Sequence, residues 1–79
     1  MSDDATIELF HSTVDSGSAA ARKRVVDRGL ESRIRFRNVF YAEVTRDLQA
    51  RGGSAAPAIW DGTRLIEGEA AVLQFLDAL

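Results

Sequence analysis

Ala58-Ile59-Trp60-Asp61-Gly62-Thr63-Arg64-Leu65-Ile66 places an Asp-Gly pair between two apolar runs. That pair is a strong short-range hairpin signal, because both central residues of a type I′ turn need positive φ and Gly and Asp tolerate it best. The stretch predicts two antiparallel strands. Gly68 breaks the chain after them, and the tail from Glu69 to Leu79 carries Val72, Phe75, Leu76 and Leu79 at helical spacing. Working back, Tyr41 to Arg51 reads as a helix with Tyr41, Val44 and Leu48 on one apolar face, ended by Gly52-Gly53. Ile34, Phe36 and Asn38 alternate with Arg35, Arg37 and Val39, which suggests a strand. A helix is expected from about Ser18 to Arg28, with Ala21, Val25 and Val26 as its apolar stripe and Gly29 as a left-handed stop. Thr6-Ile7-Glu8-Leu9-Phe10 alternates like a strand with one buried face.

The resulting order is β-α-β-α-β-β-α. A strand, helix and strand at the start imply a parallel pair, since parallel strands cannot be joined by a tight turn. The hairpin adds an antiparallel pair. The fold class is therefore α/β, a four-stranded mixed sheet with helices on both faces.

At 79 residues the chain is expected to form one small domain. It has no cysteine, which excludes a disulfide framework, a zinc-thiolate site, an iron–sulfur cluster and a thiol nucleophile. With His11 as its single histidine, it cannot build a His-rich metal site, so no metal is expected. The net charge of −2 argues against nucleic acid as a partner. Met1-Ser2-Asp3-Asp4 is acidic where a signal peptide would be basic, and no apolar run approaches the ~20 residues of a membrane span. A cytoplasmic domain without a membrane partner is expected, either a monomer or a weak homodimer.

Two stretches carry a family resemblance. Ile7-Glu8-Leu9-Phe10-His11-Ser12 runs through a polar loop into Ala21-Arg22-Lys23, and Ala55-Ala56-Pro57-Ala58-Ile59-Trp60-Asp61-Gly62 is followed by Leu65-Ile66-Glu67-Gly68. Together they resemble the glutaredoxins, small members of the thioredoxin fold, from Thr6 to Leu79. The second stretch also resembles the N-terminal domain of glutathione transferases. The departure lies in the Cys-x-x-Cys loop. Counting back from Ala21, the two cysteine positions fall on Asp15 and Ser18. Glutaredoxin turnover needs a thiolate stabilised at a helix N-terminus. A serine has no disulfide state, and an aspartate neutralises the positive helix end with the protein's own charge. Catalytic dithiol residues are thus not expected. Replacement of both cysteines would leave Ser-x-x-Ser, whereas Asp15 leads this loop, so it reads as natively thiol-free.

The resemblance implies a ligand groove rather than a reaction centre. Ala56-Pro57 matches the residue pair at which the family has a cis-proline and pairs its backbone with glutathione. His11 and Ser12 stand where the family often has a lysine, and His11 brings no fixed charge when neutral. Gly68 and Glu69 occupy the grip on the γ-glutamyl end. The carboxylate of Glu69 would repel that of the ligand, while the ligand's ammonium could pair with Glu67 or Glu69. Arg22 and Arg46 are candidate cationic partners, with ordinary surface arginines as the plainer reading. Ser16 and Ser18 read first as helix caps. Ser16 is a weak candidate for orienting a bound thiol.

His11, Ser12 and Asp15 spell a hydrolase triad only on paper, without a nucleophile elbow or oxyanion hole. Trp60 reads as partly exposed sheet surface, and next as a partner contact. Arg33, Arg35 and Arg37 share a strand face, read first as solvated and next as a patch for an acidic partner. The expected function is a binding or regulatory module for glutathione, a peptide-like ligand or a protein partner, with no cofactor required. The alternative is a glutathione-dependent thiol transferase or reductase that uses a serine.

Overall fold

In the computed structural model, residues 7–79 are described; Thr6 and the acidic Met1–Asp4 stretch lie outside the described residues. Alternation in the first strand, β1 (Ile7–His11), sends Ile7, Leu9 and His11 to one face and Glu8 and Phe10 to the other. The second strand, β2 (Ile34–Asn38), runs parallel to it with Leu9 opposite Phe36, and the helix between them, α1 (Ser16–Asp27), supplies the crossover. After α2 (Ala42–Ala50) come β3 (Ala58–Trp60) and β4 (Leu65–Glu67), then α3 (Glu69–Asp77). β3 lies antiparallel to β1, and β4 antiparallel to β3. The sheet order is β2-β1-β3-β4, a mixed α/β sheet in the expected element order.

Apolar residues of both sheet faces find separate covers. Leu9, Ile34 and Ile59 pack with Ala21 and Val25 of α1 and Val72 and Leu76 of α3. Phe10 and Ala58 pack with Val44 and Leu48 of α2 on the opposite face, where Trp60 and Leu65 border them. Arg24 of α1 holds both carboxylate oxygens of Asp77 on α3 at 2.6 Å, so the helices sharing a face are also tied at their far ends.

Both α1 and α2 end in the same glycine-dependent way. After α1, the Gly29 N–H donates to the Val26 carbonyl and Leu30 N–H to Val25, with Gly29 at φ 66°. After α2, Gly52 donates to Gln49 and Gly53 to Leu48, with Gly52 at φ 91°. These paired bonds satisfy orphan carbonyls, and the left-handed residue they require favours glycine.

Several expectations need correction. α1 starts at Ser16 rather than Ser18, because Asp15 is the cap: its Oδ2 accepts the Ser18 N–H at 2.7 Å. Ser16 and Ser18 therefore lie inside the helix and cap nothing. Val26 is 56% exposed and outside the stripe, and Tyr41, 58% exposed, precedes α2 instead of packing beneath it. Asp61-Gly62 does not form a two-residue type I′ turn. No non-glycine residue described has positive φ; instead Asp61 Oδ1 accepts the N–H groups of Thr63 and Arg64, both at 2.8 Å, and the connection widens to Asp61–Arg64. Those two backbone donors, Arg64 first, hold the Asp61 carboxyl below its usual range.

Arg37 is not part of a solvated run. Its guanidinium bonds Glu8 and Asp47, and Arg51 reaches the same Glu8 oxygen at 3.0 Å. Both guanidinium groups also lie over the Phe10 ring, at 5.5 and 5.8 Å, and Arg51 is 4.9 Å from the Trp60 ring. Glu8 and Arg37 are nearly buried, so on the α2 side of the sheet an ionic group adjoins the apolar cluster.

Candidate functional site

Strand directions gather distant residues at one rim. β1 and β2 end there, β3 starts there, and β4, antiparallel to β3, ends there again. The β1–α1 loop, the Ala56-Pro57 segment and the start of α3 consequently meet. Gly68 N–H donates to the Pro57 carbonyl at 3.1 Å, which joins the last two directly. The Ala56–Pro57 peptide is cis and Pro57 is buried.

The loop is held by its own polar side chains. Ser18 is fully buried, and its Oγ accepts the Ser12 N–H at 3.0 Å. Ser12 Oγ accepts the Val14 N–H at 3.2 Å. Ser16 is exposed in the first turn of α1. The position expected to match the second cysteine is thus an interior bolt between helix and loop, and the first is the helix cap.

His11 is 8% exposed at the end of β1. Arg22 of α1 donates to its Nδ1 at 3.1 Å and to the Ser12 carbonyl at 2.8 Å. A guanidinium has no acceptor, so Nδ1 accepts and Nε2 carries the proton of the neutral ring. Burial first, and the Arg22 charge second, lower the His11 pKa below the usual 6.5. The ring also meets Phe36 edge-on, with centroids 5.5 Å apart. Arg22 is therefore engaged at the rim, whereas Arg46 lies exposed on α2. The paper triad does not assemble: the hydrogen bonds of His11, Ser12 and Asp15 go to Arg22, Val14 and Ser18.

Acidic groups dominate the opening. A β-carbon on buried Gly17 would lie 3.3 Å from Asp15 Oδ2 and 3.2 Å from Glu69 Oε1. The starts of α1 and α3 thus pack with two carboxylates close around Gly17, where a methyl group would fit only tightly. Gly68 caps α3 without a side-chain bond, leaving its first N–H groups toward the opening. Glu67 accepts the Ser54 N–H at 3.0 Å. Apolar side chains stand at the same end: Val14 is 92% and Phe40 81% exposed, and Tyr41 meets Phe40 edge-on at 5.5 Å. Sequence periodicity assigned Tyr41 to the core and singled out neither Val14 nor Phe40, since isolated apolar loop residues have no repeat to betray them.

Elsewhere, a shallow depression of about 300 Å³ between β4 and α3 is lined by Arg64, Ile66, Gln74 and Phe75 among others, at the sheet's edge and apart from this rim. Among the described residues, no helix is long and apolar enough to cross a membrane. Comparison of the chain with protein-family models, with curated proteins and with solved structures finds no match.

Proposed function

We propose that the chain is a thioredoxin-fold, glutaredoxin-like binding module that takes a peptide-like ligand at this rim and performs no dithiol chemistry. The observation supporting it is the convergence of the β1–α1 loop, the Ala56-Pro57 segment and the start of α3, with Asp15 and Ser18 in place of thiols. Backbone groups beside Ala56 would pair with the ligand's main chain, and free N–H groups at the start of α3 would accept a carboxylate. Glu67 and Glu69 would attract the ligand's ammonium. Their charge, with that of Asp15, opposes the two carboxylates of glutathione, so affinity for that tripeptide is weak in this reading.

Titration of the ¹⁵N-labelled chain with reduced glutathione tests it. The expected result is fast-exchange shifts at the amides of Ala56, Gly68 and Glu69 at millimolar ligand. No shift at those amides overturns the glutathione reading. A thiol–disulfide exchange assay addresses the enzyme alternative. Background turnover, unchanged by Ser16→Ala, is expected, and turnover that Ser16→Ala abolishes would establish a serine-assisted transferase instead. Ser18 is a poor candidate for that role, being fully buried with its oxygen already accepting a bond.

A further inference from the structure

The opposite layer of the molecule leaves an unmet charge and an unmet strand together. β2 is the longer of the two edge strands, and its outer N–H and C=O groups have no neighbouring strand among the described residues. Arg33 ends the turn that precedes it, its N–H bonded to the Leu30 carbonyl, and Arg35 lies on it, both exposed. Among the described residues neither has a carboxylate within ion-pair distance. The same is true of Arg46 on α2, the helix that covers the sheet face bearing Arg35. The neighbouring cations differ: Arg37 and Arg51 share Glu8, Arg24 and Arg28 share Asp77, and Lys23 pairs with Asp27. Of the nearby acids, Asp47 is taken by Arg37, while Glu31 and Glu43 are exposed and form no ion pair among the described residues. Among the described residues, Arg33, Arg35 and Arg46 thus put positive charge without an ion pair on and beside one open strand of a chain whose net charge is −2.

We infer that the β2 edge is a docking surface for an extended acidic segment of a partner protein, which adds as a strand beside Ile34–Asn38. Main-chain bonds along the edge would supply the register, one acidic side chain would meet Arg35, and another beyond the strand's start would reach Arg33 in the preceding turn. On the other face Phe36, 39% exposed, offers an apolar contact to the intervening residues. A peptide suits these features better than nucleic acid, because an edge strand offers backbone pairing that a phosphate chain cannot return. The edge reaches the rim only at its Asn38 end and involves neither Ala56-Pro57 nor the start of α3, so this inference does not rest on the proposed ligand groove.

The test uses the full ¹⁵N-labelled chain and a short capped peptide of alternating glutamate and valine, beside its lysine-for-glutamate counterpart. Shifts at the amides of residues 34–38 and cross-strand nuclear Overhauser effects to the acidic peptide are expected. The lysine peptide should give neither. Raising the salt from ~20 to ~200 mM should weaken binding several-fold, as exposed charges become screened. Arg33→Glu with Arg35→Glu should weaken it about tenfold, and the milder Arg33→Gln with Arg35→Gln by less, both with unchanged circular dichroism. Equal binding of the two peptides, or indifference to the charge reversal, would overturn the inference. So would shifts confined to Ala56 and Gly68, or tighter binding of oligothymidylate to the same β2 amides.

Discussion

Gly53 has no room for a methyl group. A β-carbon there would overlap Leu48 Cδ1 and lie 2.7 Å from Leu65 Cδ2, and Leu48 is itself buried. Gly53→Ala is expected to cost about 1–3 kcal/mol in urea denaturation, by overpacking. Asp15→Ala removes the α1 cap and should cost about 1 kcal/mol, whereas Asp15→Asn keeps an oxygen acceptor and should cost less. His11 gives the pH dependence. Its folded pKa lies below the unfolded value, so the unfolded chain binds the proton more readily, and stability falls as pH drops below about 6.5. Urea titrations at pH 7.5 and 5.5 should show that loss in the wild type, and His11→Gln should reduce it. Counting back from the first helix singled out Asp15 and Ser18 from the sequence, but not what they do. Both are good caps by residue type; the choice between them depends on a loop whose start, Ser12, the Ser18 hydroxyl ties down.

At the scale of elements, the Glu8 hub joins β1, β2 and the end of α2. Glu8→Ala would leave Arg37 facing Asp47 alone and Arg51 without a carboxylate. The expected loss is about 2–4 kcal/mol, below the fully buried case because Arg51 remains 28% exposed. Asp47→Ala should cost clearly less, since that carboxylate faces solvent, although the Arg37 bond holds its pKa down. Equal losses for the two variants would show that Glu8 is no hub. The order of elements was readable because each has a local mark: alternation in β1, Gly29 and Gly52 as stops, and Gly68 before α3. The hub was not. Alternating Arg33, Arg35 and Arg37 look identical in sequence, and only the register with β1 and the position of Asp47 on α2 separates the buried member from the others. Tyr41 misled for a related reason, since it has the spacing of Val44 and Leu48 but stands one residue before the helix begins.

The whole molecule has a small core on each side of one sheet, and neither side is complete without it. Unfolding should therefore be cooperative. Trp60 reports on the α2 side and far-ultraviolet circular dichroism on all helices, so their urea midpoints should coincide. An earlier Trp60 transition would mean that α2 detaches by itself. The two sides of the sheet also differ in make-up. Around α1 and α3 the contacts are oil-like, a kind that weakens on cooling. Beneath α2 a similar apolar cluster is joined by a carboxylate and two guanidinium groups that have given up much of their water, a loss that becomes easier as the temperature climbs. The α2 side thus adds a contribution that gains with heat to the apolar support that both sides share, and the folded chain can lean on it where the apolar contacts alone would have levelled off.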